Sequence, residues 1–148
     1  MKLVVTRVNS ASVTIDGKVH SEIEKGLLVL MGVTGDDTIA DAEYLAQKLP
    51  KLRIFEDEEG KLNRSVLDVG GEVLIVSNFT LYADASHGNR PSFTSAARGE
   101  ISKPLYDAFC DLVSKSVTVK CGVFGGDMKV ASVNDGPVTI IMESRKKN

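Results

Sequence analysis

With 148 residues, 43% of them hydrophobic and 26% charged, the chain has the size and balance of one folded domain, which excludes a disordered or fibrous protein. A formal charge of -2 and a pI of about 5.7 exclude a general nucleic-acid binder, whose phosphate contacts need an excess of lysine and arginine. The longest apolar stretch, Leu27 to Met31, is far below the roughly 20 residues that cross a bilayer, and the N-terminal residues lack the apolar core of a secretory signal, so no membrane partner and a cytoplasmic location are expected.

In chain order, residues 2 to 8, 12 to 15, 19 to 24 and 27 to 33 are rich in valine, leucine and isoleucine and read as strands. Asp16-Gly17 marks a hairpin, since a two-residue turn of the primed type favours this dipeptide. Ile39, Ala42, Leu45, Ala46 and Leu49 recur at helical spacing behind a Thr38/Asp41 capping box, predicting a helix that ends before Pro50. Leu52 to Phe55 returns to extended chain, and the acidic run Glu56 to Glu59 before Gly60 reads as a solvated loop. Val73-Leu74-Ile75-Val76 is unbroken apolar sequence, as in a strand covered on both faces, and it delivers Ser77 to its C-terminal end. Residues 84 to 99 carry no period and read as a long surface loop. A second helix is marked by Leu105, Phe109, Leu112 and Val113, with Ser102 as cap and Pro104 in the first turn. Strands near 117 to 121, 127 to 133 and 138 to 142 complete an expected α/β fold of mixed, largely antiparallel sheets with two main helices, one layered domain over residues 1 to 148.

Few residues offer chemistry of a familiar kind. His20 and His87 are the only histidines, one in a strand and one in a loop, and neither has a nucleophile or ligand spacing around it. Cys110 and Cys121 have neither C-x-x-C spacing nor a neighbouring histidine and read as buried free thiols. No metal and no cofactor are expected. Ser77-Asn78-Phe79-Thr80 places hydroxyls, an amide and free backbone N–H groups where the chain leaves a buried strand, which suits an oxyanion site and equally suits a turn that satisfies itself. Gly136-Pro137 is an ordinary turn or a cis bond. Arg7 lies on the face of Leu3 and Val5, either holding something polar in the interior or reaching solvent from the strand end. Basic residues for a local RNA patch are Lys48, Lys51, Arg53, Arg64, Arg90, Arg98 and the tail Arg145-Lys146-Lys147, all equally at home on a solvated surface.

The combination is more specific than its parts. Ser77-Asn78-Phe79-Thr80-Leu81 and Asn134-Asp135-Gly136-Pro137-Val138-Thr139 resemble the two signatures of the D-aminoacyl-tRNA deacylases. Ala11-Ser12-Val13-Thr14, Leu52 to Asp57, Asn63 to Gly71, Leu81-Tyr82-Ala83-Asp84 and Arg90-Pro91-Ser92-Phe93 extend the similarity over essentially the whole chain. The resemblance implies a homodimeric hydrolase that cleaves the ester of D-aminoacyl-tRNA. In it a cis Gly136-Pro137 enters the partner subunit's pocket beside Ser77 to Thr80, and Arg7 supports the Gly-Pro carbonyls. Rigid carbonyls placed where an L-residue's Cβ would sit reject L-aminoacyl groups whatever their side chain, and glycyl-tRNA, without a Cβ, would be accepted. Phe124 and Met128, core residues on sequence grounds, match positions that the family sets around the terminal adenosine. Thr80 has no base beside it to act as a nucleophile, so the resemblance favours the RNA 2′-hydroxyl as the assisting group, with the N–H groups of Phe79 and Thr80 holding the oxyanion.

The chain departs from the family at Asn78, where glutamine is usual. Asparagine keeps the amide but is one methylene shorter. Two other readings remain: a related animal-type tRNA deacylase with a trans Gly-Pro, and a non-catalytic tRNA-binding or assembly module.

Overall fold

The structure, a computed structural model, describes residues 1–145. Strand β1 (Lys2–Ile15) turns through Asp16-Gly17 into β2 (Lys18–Ile23), and β3 (Gly26–Gly32) follows. Asp16 and Gly17 have φ of 50° and 76°, the left-handed pair that a primed hairpin turn demands. The expected strands 2 to 8 and 12 to 15 are one continuous strand, because Asn9-Ser10 contains no glycine or proline to break it and a register shift beside Val8 absorbs the irregularity. The N-terminal half of β1 pairs antiparallel with β3 and its C-terminal half with β2.

Helix α1 (Ile39–Lys48) starts where the capping box placed it: the Thr38 N–H donates to the Asp41 carboxylate at 2.8 Å. A 3-10 turn over Leu49–Lys51 ends it at Pro50. The short strands β4 (Phe55–Glu56) and β5 (Leu62–Arg64) form a separate hairpin. The acidic run between them is the expected solvated turn, braced by Asp57, which accepts the N–H groups of Glu59 and Lys61 at 2.9 and 3.0 Å. Strand β6 (Glu72–Ser77) then runs parallel to β3, so the whole 33–71 excursion is the crossover that parallel pairing requires.

Helix α2 (Gly99–Ser114) is the second crossover, followed by β7 (Val119–Cys121), parallel to β6. It begins three residues before Ser102, which corrects the expected cap: Ser102 lies inside the helix and its hydroxyl donates to the Arg98 carbonyl at 3.0 Å. Pro104 accordingly falls in the second turn, not the first. Strand β8 (Lys129–Glu143) unites the two expected C-terminal strands and pairs antiparallel along β1.

Alternation explains the layering. Leu27, Val29, Met31, Val73 and Ile75 face the helices and pack with Leu45, Phe109 and Val113, while Leu28, Leu74 and Val76 face the opposite way and pack with Val8, Val13 and Ile23. Phe109 is fully buried, and truncating it to alanine would cost about 3–5 kcal/mol. The sheet curls so far that Ser21 on β2 donates its hydroxyl to the Cys121 carbonyl on β7 at 2.8 Å. That bridge brings opposite ends of the strand order together and leaves a hollow on the second face.

Candidate active site

The hollow is a cavity of about 770 Å³ at the C-terminal end of β6, within the size range of small-molecule sites. Ser77, Asn78 and Phe79 form one wall, and Phe124 and Met128, on the segment between β7 and β8, form the other. Leu30, Val76 and the start of α2 at Gly99 and Ser102 close the base. These α2 residues escaped the sequence reading because the helix start was placed too late: Ser102 suits a cap as well as an interior position, and only the bond of its hydroxyl to the Arg98 carbonyl one turn back shows which it is.

Ser77 ends the buried strand and Asn78 is held on both sides of its backbone: its N–H donates to the Met31 carbonyl at 2.8 Å and its carbonyl accepts from Leu81 at 3.3 Å. A 3-10 turn, Phe79–Tyr82, begins there. The first N–H groups of such a turn, those of Phe79 and Thr80, have no carbonyl within it to donate to. The Thr80 side chain is exposed, stands outside the cavity lining, and donates its hydroxyl hydrogen to Asn78 Oδ1 at 2.5 Å.

On the other wall, an added Cβ at Gly122 would lie 2.6 Å from Met128 Sδ, so glycine at 122 is what allows the methionine into its place. Phe124 packs against Tyr106 with ring centroids 5.9 Å apart, and the Tyr106 hydroxyl donates to the Ile75 carbonyl at 2.7 Å. Burial pushes the Tyr106 phenol well above its ordinary pKa, so it serves as a neutral prop. Behind it, Cys110 is buried and Cys121 half-buried, both as free thiols. His20 and His87 are exposed, and among the described residues no three His, Cys, Asp or Glu side chains gather as a metal site.

Arg7, Gly136 and Pro137 do not line this cavity. They form a second assembly on β8, where the step from Asn134 to Thr139 faces only the step from Val8 to Thr6, so that residues 135 to 138 bulge out opposite Arg7. The Gly136–Pro137 bond is cis, and both residues are exposed. Arg7, by contrast, is 4% exposed. Its Nε donates to the Asp135 carbonyl at 3.1 Å and its Nη1 to the Ile54 carbonyl at 2.9 Å. The carbonyl it grips is thus the one before Gly136. Gly136 itself has φ of 127°, and an added Cβ would stand 2.8 Å from the Val138 nitrogen and 3.2 Å from the Arg7 guanidinium.

The basic candidates are dispersed. Arg145 is engaged by Asp36, Asp37 and Asp41 at 2.6, 3.1 and 3.0 Å, and Arg64 donates to the Asp68 carbonyl at 2.9 Å. Lys146 and Lys147 lie outside the described residues. Among those residues no helix is long and apolar enough to cross a membrane.

The chain matches the D-Tyr-tRNA(Tyr) deacylase family over residues 4–143. It is 56% identical to the D-aminoacyl-tRNA deacylase of Chlorobaculum parvum, over 99% of this chain and 100% of that one. It is 52% identical to that of Parabacteroides distasonis, over 99% of each. Among solved structures, one titled c-Myc DNA Unwinding Element Binding Protein superposes with a TM-score of 0.93 at 42% identity, covering 99% of this chain and 100% of that one. A probable eukaryotic D-amino acid tRNA deacylase shares the fold, with a TM-score of 0.82 at 16% identity over 96% and 98% of the two chains.

Proposed function

The chain belongs to the D-Tyr-tRNA(Tyr) deacylase family, and from that premise we propose how its residues carry out the reaction. It is a hydrolase of the ester bond in D-aminoacyl-tRNA, releasing free tRNA and a D-amino acid. The observation that carries the site assignment is the convergence of the Ser77–Phe79 turn with Phe124 and Met128 on one cavity. A flat ring and a soft thioether suit the terminal adenine of the tRNA, by stacking and apolar contact. The free N–H groups of Phe79 and Thr80 then face the ester, where they stabilise the oxyanion formed as water attacks the carbonyl carbon. Ser77 and Asn78 add polar groups beside them.

The base is supplied by the substrate. The adenosine's other vicinal hydroxyl stands next to the ester and orients the attacking water, and the departing ribose oxygen takes up a proton as the carbon–oxygen bond breaks. This assignment is supported by the engagement of the Thr80 hydroxyl with Asn78 and by the place of both histidines, which are exposed and do not line the cavity; the one serine bonded to a histidine among the described residues, Ser86 at 2.8 Å from His87, lies outside that lining as well. Thr80→Ala is expected to stay within about tenfold of the parent, the effect of one hydrogen bond rather than of a lost nucleophile, and a substrate without the 2′-hydroxyl to be poor.

Chirality is filtered by Gly136-Pro137, presented across a homodimer. The reading is supported by the separation of Arg7, Gly136 and Pro137 from the cavity of their own chain. It is also supported by the exposed apolar side chains Phe79, Phe93, Val133 and Ile141, 41 to 65% accessible, which a second copy would cover. Carbonyls held rigidly there clash with an L-residue's Cβ and spare a D-residue or glycine, so glycyl-tRNA is a second substrate. A single domain acting in the cytoplasm completes the reading. The deciding experiment compares release from D-tyrosyl-tRNA and L-tyrosyl-tRNA. Release from the D form alone is expected; release from both would remove the filter, and release from neither would leave a tRNA-binding module.

A further inference from the structure

In the turn that leaves β6, the side chains of Thr80 and Asn78 meet. Thr80 Oγ1 and Asn78 Oδ1 are 2.5 Å apart. The Thr80 hydroxyl donates and the amide oxygen of Asn78 accepts, so the oxygen is the end of the amide that meets Thr80. The Nδ2 end is left with no protein acceptor among the described residues, on a side chain that lines the cavity. Because the Asn78 backbone is bonded at both its N–H and its carbonyl, rotation of the side chain is its remaining freedom, and the Thr80 hydroxyl removes it.

We propose that Thr80 is a positioning residue, whose hydroxyl locks the Asn78 amide so that Nδ2 is presented to the cavity as a donor to the ester carbonyl oxygen of the substrate. The proposal rests on the deacylase reading and deepens it. An amide –NH₂ has two donors and no acceptor, so it cannot serve the α-ammonium of the aminoacyl group. Among the atoms at the reacting centre, the carbonyl oxygen gains most negative charge as water adds, and a donor fixed beforehand helps most there. The short arm of asparagine keeps its amide within reach of a hydroxyl two residues along the same turn.

The test is a double-mutant cycle on D-tyrosyl-tRNA hydrolysis. Thr80→Val, which keeps the shape and removes the hydroxyl, is expected to lower kcat about three- to tenfold with KM nearly unchanged, the effect of one neutral hydrogen bond. Thr80→Ser should recover most of that loss, and in an Asn78→Ala background Thr80→Val should cost nothing more. An equal loss in both backgrounds, or a serine variant as slow as the valine one, overturns the proposal. A loss of several thousandfold would instead make Thr80 the nucleophile and overturn it as well. Free of any turnover, the Asn78 side-chain amide pair in a proton–nitrogen correlation spectrum should move in Thr80→Val and stay in Thr80→Ser; an unmoved pair is equally fatal. If the unaltered protein released no amino acid, the deacylase reading would fail, while the spectrum would still decide the coupling.

Discussion

Arg7 reaches from the interior of β1 to the carbonyl of Asp135, 3.1 Å away, and so ties a bulge on the neighbouring strand to the core. The same guanidinium holds the Ile54 carbonyl at 2.9 Å, while its contact with Glu56 is 3.9 Å long and the partner is more than half exposed. The Asp135 carboxylate adds an ion pair at 3.2 Å to the Arg7 Nε; it is partly exposed and so discounted for screening, which leaves the two carbonyl bonds alone to be counted. Arg7→Ala is expected to lower stability by about 3 kcal/mol, two hydrogen bonds from a charged donor at about 1.5 kcal/mol each. Urea denaturation measures it, and the same variant should discriminate less well between D- and L-tyrosyl-tRNA. A variant as stable as the parent would show that Arg7 does not hold the bulge.

Gly136→Ala addresses the bulge from the other side. The φ of 127° and the 2.8 Å approach to the Val138 nitrogen leave a methyl group nowhere to go, so a backbone shift costing about 1–3 kcal/mol is expected. If the bulge is the chiral filter, the ratio of D to L hydrolysis should collapse mainly through faster L hydrolysis. Unchanged selectivity in a displaced bulge would place the filter elsewhere.

Gly122→Ala acts on the cavity wall assigned above, as a proposal, to the adenosine. Its Cβ would stand 2.6 Å from Met128 Sδ, and a thioether on a flexible chain yields by turning into the cavity, at about 1–2 kcal/mol in stability. KM for the aminoacyl-tRNA should rise several-fold with kcat largely retained, because the turn at Ser77 to Thr80 is untouched. A fall in kcat at constant KM would instead link Met128 to the chemistry.

Acid stability has a specific source. Hydrogen bonding from Arg145, then the Thr38 N–H, outweighs burial and holds the Asp41 carboxyl well below its ordinary pKa. A group depressed in this way stabilises the fold fully above the unfolded carboxyl pKa of about 3.9 and loses that contribution as pH falls through the native value. The urea midpoint of Arg145→Ala should therefore lie below the parent's at neutral pH, and the gap should narrow below about pH 4. A gap independent of pH would exclude Asp41 as its origin.

How much of this was legible beforehand depended on how local the cause was. Asp16-Gly17 and the Thr38/Asp41 box act within four residues, and both appear as expected. Val73 to Val76 announced a strand buried on both faces for the same reason. The start of α2 was not legible, because Ser102 serves equally as a cap or as an interior serine bonded to Arg98 and only the helix as built decides. The union of two strands into β8 was hidden by proline, which normally ends a strand but is tolerated at a bulge on an edge. Within the site, the turn at Ser77 was readable, whereas the approach of Phe124 and Met128 depends on the sheet curling until β2 and β7 meet, a relation between residues a hundred positions apart.

The bulge at residues 135 to 138 also governs how the molecule behaves in a crowd. Among the described residues β8 pairs with β1 alone, which leaves a fifteen-residue strand with an open edge and with Val133 and Ile141 exposed beside it. A flat edge of that length and composition is a template on which strange chains add and polymerise. The protrusion cuts it into two short stretches and forces any incoming strand to accommodate a rigid knob held from within by Arg7. A variant that flattened these few atoms is therefore expected to precipitate before it unfolds, and, if the bulge is also the chiral filter proposed above, to lose selectivity with it.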